Sequence, residues 1–385
     1  MPRADPPPLI LVSLDGFRVD YLDQDGARNL RALAAQGVRA EAMRPSFPTT
    51  TFPNHYTIVT GLRPDRHGVV AHTMEDASLP GERFGSANQK ALTDRRWWDQ
   101  AEPAWVTAEK KQIRTAVMFW PGSEAPIHGV LPGSYRPFDG KVPANDRVDV
   151  VLGWLDRPAA SRPRMLALYL DDVDLAGHNF GPASAQVAES VARVDAALGR
   201  LTDGLRARGI EANIVVVSDH GMAATSAQRL IHFNRIAPPA SYRLIATGPH
   251  AGIEAQPGAE PALAAALLKP QEHMQCWRKG ELPARFHYGQ NPRVPQFICI
   301  PDVGWFIVPG GEPDRFPHGG THGYDNLAPE MQAVFIAAGP AFKQGVVLPA
   351  FDNVNVYSLL MKLIDVPALP SDGTLAPLAP GLKQP

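Results

Sequence analysis

MLALYLDDVD (165–174), AQVAESVARVDAALGRLTDGLRARG (185–209) and NIVVVSDH (213–220) follow one another closely, and their reading decides the fold. The first and third are near-continuous apolar runs that end in acids. Runs of that length suit strands buried on both faces of a parallel sheet. In the second, Val187, Val191, Val194, Leu198, Leu201 and Leu205 recur at alternating steps of four and three. That is the core-facing stripe of an amphipathic helix. A strand, helix, strand unit of this kind needs a right-handed crossover. LILVSLD (9–15) and MQAVFIAAG (331–339) read as two more buried strands. The expectation is an α/β fold: a doubly wound, mostly parallel sheet with helices on both faces. Residues 228–316 carry scattered prolines and weak periodicity, and are expected to form an inserted cap subdomain within one domain spanning 1–385. No repeat at a solenoid period is present.

The bulk numbers exclude several classes. A net charge of -2 over 385 residues gives no electrostatic case for binding a nucleic-acid duplex. No apolar run is long enough to span a bilayer. The 39 prolines and 33 glycines imply much loop, but they are spread out and do not signal disorder. Cys276 and Cys299 are not spaced as a metal knuckle, and one pair cannot fix a redox compartment. The apolar stretch near the start is too short and too proline-flanked for a signal peptide. A cytoplasmic location follows from the sequence as written, and a periplasmic or secreted one if a signal has been left out.

Three of the strands end in acids: Asp15, Asp174 and the Asp219–His220 pair. In open α/β sheets ligands sit beyond the carboxyl ends of the strands. Carboxylates gathered there repel one another, and a bound cation resolves the repulsion. DLAGH (174–178) adds His178, with Gly177 allowing a tight turn, and HGGTHGYDN (318–326) adds His322 from a glycine-rich loop. Mixed imidazole and carboxylate ligands suit zinc better than magnesium or calcium. Asp15, Asp174, His178, Asp219, His220 and His322 make six candidate ligands, three for each of two ions. His318 reads as a loop histidine, and His55 and His67 as structural. Two ions about 4 Å apart can clamp the attacking and leaving oxygens of an in-line displacement.

Such a centre needs a nucleophile. In PSFPTTTFPNHY (45–56) a β-branched run, Thr49 to Thr51, precedes Pro53, where a helix could begin, and the helix would stop at Gly61. A threonine hydroxyl then lies at a helix N-terminus, which favours an alkoxide and an incoming phosphate. Thr51, closest to the helix, is the natural choice.

These residues sit in stretches that resemble the nucleotide pyrophosphatase/phosphodiesterase branch of the alkaline phosphatase superfamily. The stretches are LVSLDGFRVDYL, PSFPTTTFPNHYTIVTGLRPDRHGVV, EPAWVTAE, FWPGSEAPIHG, YLDDVDLAGHNFGP, VVVSDHGM, THGYDN and FDNVNVYSLLMKLI, spread over almost the whole chain. The resemblance implies an alkaline-phosphatase-like α/β core. It implies one zinc on Asp15, Thr51, Asp219 and His220 and a second on Asp174, His178 and His322. It also implies Thr51 as the nucleophile, forming a phospho-threonine that water then hydrolyses. Phe52 and Tyr169 match positions that lie against the base or other leaving-side group, where stacking is available. The sequence departs from the pattern at His72, where an asparagine usually donates to a phosphate oxygen, and more mildly at Val173 and Asp171.

The expected activity is hydrolysis of nucleotide-type phosphodiester or phosphoanhydride bonds by a two-zinc enzyme acting on a small-molecule substrate. The alternatives are a zinc phosphatase acting on monoesters, phosphonates or headgroup diesters, and a transferase that passes the phosphoryl group to an alcohol. A zinc protein without turnover fits less well, because every ligand and the nucleophile are present.

Overall fold

The strand Leu9–Leu14 (β1) is buried along its whole length, and its side chains alternate between two separate cores. Leu9 and Leu11 enter one; Ile10, Val12 and Leu14 enter the other. This is the period-two geometry of a strand covered on both faces. The computed structural model describes residues 6–311, 316 and 318–383. Met165–Leu170 (β2) pairs with β1 in parallel on one side, from Leu9↔Met165 to Leu14↔Leu170. Asn213–Val217 (β3) pairs with it in parallel on the other, from Leu9↔Asn213 to Ser13↔Val217. The three strands therefore end at the same level, and the residues that follow them share one edge.

Eight strands make this sheet, with Thr115–Met118 and Ser134–Arg136 beyond β2. Phe335–Ala338 (β4) lies beyond β3 and runs antiparallel to both of its neighbours. The sheet is thus mostly parallel with one reversed strand. β4 is as buried as the rest, so its apolar run carries no sign of direction. Helices cover both faces. Thr51–Thr60 (α1) packs Tyr56, Ile58 and Val59 into the first core. Asp172–Phe180 (α2) follows β2 directly. Ala185–Ala207 (α3) starts on a Ser184 cap that accepts from the Val187 N–H. It buries the whole stripe from Val187 to Leu205 in the second core. Each fully buried aliphatic side chain there contributes about 1.5–3 kcal/mol.

Between β3 and β4 lies a second sheet of four antiparallel strands in the order Tyr242–Ala246, Ala251–Ala255, Phe297–Pro301, Met274–Arg278. It has its own core around Phe233, Ile253, Leu267 and Phe297. A Cys276–Cys299 disulfide joins directly opposed residues of its last two strands. Arg293, buried, binds the carbonyls of Gly68 and Trp97 and the carboxylate of Asp76, tying this region to the main body. The loop from Thr247 to His250 connects the first two strands of this sheet and reaches back to the strand ends of the main one. Among the described residues, no helix is long and apolar enough to cross a membrane.

Candidate active site

The corner that precedes α1 is held by Asn54. Its amide donates to the carbonyls of Pro48 and Thr50, and its oxygen accepts from Ser46 N–H and from Asn353. The helix starts at Thr51, earlier than the position of Pro53 suggests. Proline is tolerated in a first turn because the N–H it lacks has no intrahelical partner there. Gly61 ends the helix in the left-handed conformation, as the sequence suggests.

The three threonines have different tasks. Thr49 donates its hydroxyl to the Tyr324 carbonyl and accepts from Gly323 N–H, fixing the loop that carries His322. Thr50 is the N-cap by position, yet its hydroxyl makes no capping bond and is buried without a partner. Thr51 presents its hydroxyl 3.2 Å from His220 Nε2.

That nitrogen is a point of convergence. It lies 2.9 Å from Asp219 Oδ2 and 3.4 Å from Asp15 Oδ1. Asp15 follows β1, and Asp219 and His220 follow β3, so the strand register brings them together. On the next turn of surface, Asp174 and His178 lie four residues apart on one face of α2, their polar atoms 3.5 Å apart. Helical spacing, not a turn at Gly177, makes them converge. Gly177 serves close packing instead: a Cβ there would stand 2.8 Å from the Met222 methyl. His322 Nε2 completes this group, 3.4 Å from Asp174 Oδ1 and 3.1 Å from His178 Nε2.

The donor chemistry of these groups fits bound cations. His178, His220 and His322 each place Nδ1 2.9–3.0 Å from a backbone carbonyl: Gly320, Gly221 and Thr49 respectively. An Nδ1–H donated to a carbonyl leaves Nε2 as a lone-pair donor, the tautomer a metal takes. His178 and His322 then point two lone pairs at each other across 3.1 Å, an arrangement that a cation relieves. Asp15 Oδ1, Asp174 Oδ1 and Asp219 Oδ2 are buried and lack hydrogen-bond partners among the described residues. Burial, followed by the charges of Asp219 and Asp174, pushes the Asp15 carboxyl well above its ordinary range. Burial and the neighbouring His220 and His178 depress His322 strongly. Asp174, His178 and His322 form one group whose ligand atoms lie within 4.8 Å; Asp15, Asp174 and His220 form another, and Asp15, His55 and Asp219 a third.

His55 sits beneath the centre rather than outside it. Its Nδ1 lies 2.9 Å from the Thr51 carbonyl and 3.3 Å from Asp219 Oδ2, and Ser13 meets its other nitrogen at 2.8 Å. His67 is buried among Thr57 and backbone groups, away from the acids. His318 is exposed beside Phe316.

Tyr169 is buried, and its hydroxyl donates to Asp15 Oδ2 at 2.5 Å. Its ring meets that of Phe138 edge-on at 6.1 Å, and Phe138 is 48% exposed. Phe52 is half-buried. His72 stacks on it with ring centres 4.7 Å apart, and Phe84 and Trp98 lie at its edges. A cavity of about 650 Å³ opens at Thr51, lined by Thr50, Thr51, His72, His178, His250 and His322 among others. No pattern in the sequence singled out His250 or Phe138. Each is a lone residue in a loop, and its place depends on how distant loops fold back.

The family model for type I phosphodiesterase / nucleotide pyrophosphatase matches residues 9–325. An uncharacterized pyrophosphatase/phosphodiesterase of Schizosaccharomyces pombe is 38% identical over 95% of this chain and 78% of its own length. Mouse ectonucleotide pyrophosphatase/phosphodiesterase family member 1 is 35% identical over 98% of this chain, which spans only 43% of that protein. Murine ectonucleotide pyrophosphatase/phosphodiesterase 5, solved as an inactive variant in complex with AMP, superposes with a TM-score of 0.93 at 33% identity. The match covers 98% of this chain and all of that one. With these matches spanning nearly its full length, the chain belongs to the type I phosphodiesterase / nucleotide pyrophosphatase family.

Proposed function

We propose that the protein hydrolyses nucleotide-type phosphodiester or phosphoanhydride bonds with two zinc ions and Thr51 as nucleophile. The observation that carries this is the Thr51 hydroxyl beside His220 Nε2, at the meeting point of three buried unpartnered carboxylate oxygens and three imidazoles tied back through Nδ1. Asp15, Asp219 and His220, with Thr51, would hold one ion; Asp174, His178 and His322 would hold the other. When bound, the ions supply Lewis acidity, lowering the pKa of the hydroxyl and offsetting charge on the leaving oxygen.

The chain's own residues do the rest. Asn54 and Thr49 fix the corner so that Thr51 faces the acids. The N-terminus of α1, with Thr51 as its first residue, presents partial positive charge to the phosphate. Attack by Thr51 Oγ forms a P–O bond to the side chain and breaks the bond to the leaving oxygen. Water then attacks the same phosphorus and frees Thr51. His72 lines the cavity and can donate one N–H to a non-bridging oxygen. Burial, with His178 as the next cause, lowers its pKa to about 4, so it donates as a neutral ring. A neutral donor suits the single charge of a diester better than the double charge of a monoester. Phe138 offers an exposed aromatic face next to Tyr169, available to a base, and Phe52 backs His72.

The test is turnover of a nitrophenyl nucleotide diester, a nucleoside triphosphate, a phosphocholine diester and a simple monoester, by zinc-loaded and chelated protein. The expected result is metal-dependent release of a nucleoside monophosphate, with the monoester poorest. Preference for the monoester would overturn the reading.

A further inference from the structure

His250 is 5% exposed, and among the described residues neither of its ring nitrogens has a hydrogen-bond partner. A buried imidazole with both nitrogens unpaired carries a free-energy cost that needs a reason. Its surroundings supply none. Phe47 meets the ring edge-on at 6.1 Å. A Cβ added at Gly323 would lie 3.3 Å from its Nδ1 and 3.2 Å from the Thr50 methyl, so Thr50 and His250 flank the same glycine. The Thr50 hydroxyl is also buried and unpartnered, as is His72 Nδ1. All three residues line the cavity that opens from Thr51 and the Asp174, His178, His322 group. Phe138 and Tyr169 do not line it, so with the base stacked at Phe138, as proposed above, this cavity is free for the leaving group.

The kind of group follows from hydrogen-bond capacity. Burial, with His72 as a second cause, lowers the His250 pKa to about 4. A neutral imidazole has one N–H donor and one lone-pair acceptor. A phosphate oxygen only accepts, and would leave the acceptor nitrogen of His250 unpaired. A hydroxyl both donates and accepts, and neighbouring hydroxyls on one sugar can satisfy both nitrogens together. Charge argues the same way. Among the described residues lining the cavity, Arg83 is the one lysine or arginine, and it already gives one N–H to the Ile245 carbonyl. Apart from Arg83 and the ion that Asp174, His178 and His322 would hold, a pyrophosphate leaving group would meet neutral rings, hydroxyls and aliphatic side chains.

Building on the hydrolase reading above, we propose that His250, with Thr50, is a hydroxyl-recognising subsite for the leaving group. The protein then prefers substrates whose leaving group carries a sugar or similar polyol, such as nucleotide sugars, over nucleoside triphosphates. His250 sets specificity and takes no part in bond making or breaking.

The test compares the zinc-loaded parent with His250→Phe and His250→Gln. The substrates are a nucleoside diphosphate hexose, its deoxyhexose counterpart, a nucleoside triphosphate and a nitrophenyl nucleotide diester. For the parent, kcat/KM for the hexose substrate should exceed that for the triphosphate and the deoxy analogue by about tenfold or more. His250→Phe should lose about ten- to a hundredfold on the hexose substrate while staying within about threefold on the nitrophenyl diester. His250→Gln, which keeps a donor and an acceptor, should recover part of the loss. The proposal is overturned if His250→Phe changes both substrates alike or neither, or if the parent prefers the triphosphate. Should His250→Phe fail to fold, the parent's ratio between hexose and deoxyhexose decides, and a ratio near one refutes the subsite. If the parent turns over the nitrophenyl diester but shows no hexose preference, only the subsite fails; if it turns over nothing, the hydrolase reading fails with it.

Discussion

Two sets of imidazoles meet at Thr51, and they are held differently. His178, His220 and His322 each have Nδ1 beside a backbone carbonyl, which fixes ring and tautomer before any ligand arrives. His72 and His250 have no such tie; His72 leans on Phe52, His250 on Phe47, and their buried ring nitrogens stay unpaired. The first set stands on strand ends, a helix and a loop pinned by Thr49. The second stands on loops, one of them from the inserted four-stranded sheet. Rings held in one tautomer suit a fixed cation; rings with open nitrogens suit a substrate that comes and goes. On this reading the fold would hold its cations on the rigid core and leave recognition to connections that can vary.

Removing metal with a chelator should abolish turnover, and zinc should restore it with about two ions per chain by metal analysis. Full activity in metal-free protein would contradict the role given to the tied set. Thr51→Ala should cost at least about a thousandfold in kcat with the fold retained by circular dichroism. Thr49→Ala should cost far less, through a loosened His322 loop, and Thr50→Ala less than about tenfold on a nitrophenyl diester. On the open side, His72→Ala should lose about ten- to a thousandfold in kcat/KM for a diester, and His72→Asn should keep most of it. Phe138→Ala should raise KM for a nucleotide more than for a diester without a base, by about 1–3 kcal/mol of stacking.

The smallest effect concerns pH. His250 has a folded pKa of about 4, below the ordinary 6.5, because burial penalises its charged form. Between those values the unfolded chain binds a proton that the folded chain refuses, so stability falls as pH drops from 6.5 towards 4. His72, at about 4, and His67, at about 3, act in the same direction. Calorimetry of His250→Phe should show a smaller loss of Tm between pH 7 and pH 5 than the parent, by a few degrees. Identical losses would mean that His250 is not held neutral by burial.

Much of the tied set was legible in the sequence. Apolar runs ending in Asp15 and Asp219 place carboxylates at strand ends, where the sheet register brings them together, while Asp174, expected at a strand end too, lies in the first turn of the helix that follows β2. The amphipathic stripe from Val187 to Leu205 was equally clear, because burial on one side leaves a period in the chain. Less was legible where position depends on contacts between distant segments. The reversal of Phe335–Ala338 leaves no trace in a strand buried on both faces. The start of α1 was misplaced because Pro53 fits the first turn as well as the first position. The sequence suggests Tyr169 as a stacking ring but carries no sign of its hydroxyl's bond to Asp15, which depends on the pairing of β1 with β2. Nothing about GPHAG marks His250, since only the fold of the insertion brings it beside Thr50.

The central claim is that Thr51, and no neighbour, takes the phosphoryl group. Incubating zinc-loaded protein briefly with a nitrophenyl nucleotide diester, quenching in acid and sequencing the peptides by mass spectrometry tests this directly. The account predicts a nucleotidyl ester on Thr51 that forms with the nitrophenol burst and is absent from Thr51→Ala. An active protein carrying that adduct on Thr49, Thr50 or any other residue, or a Thr51→Ala variant with undiminished turnover, would contradict it.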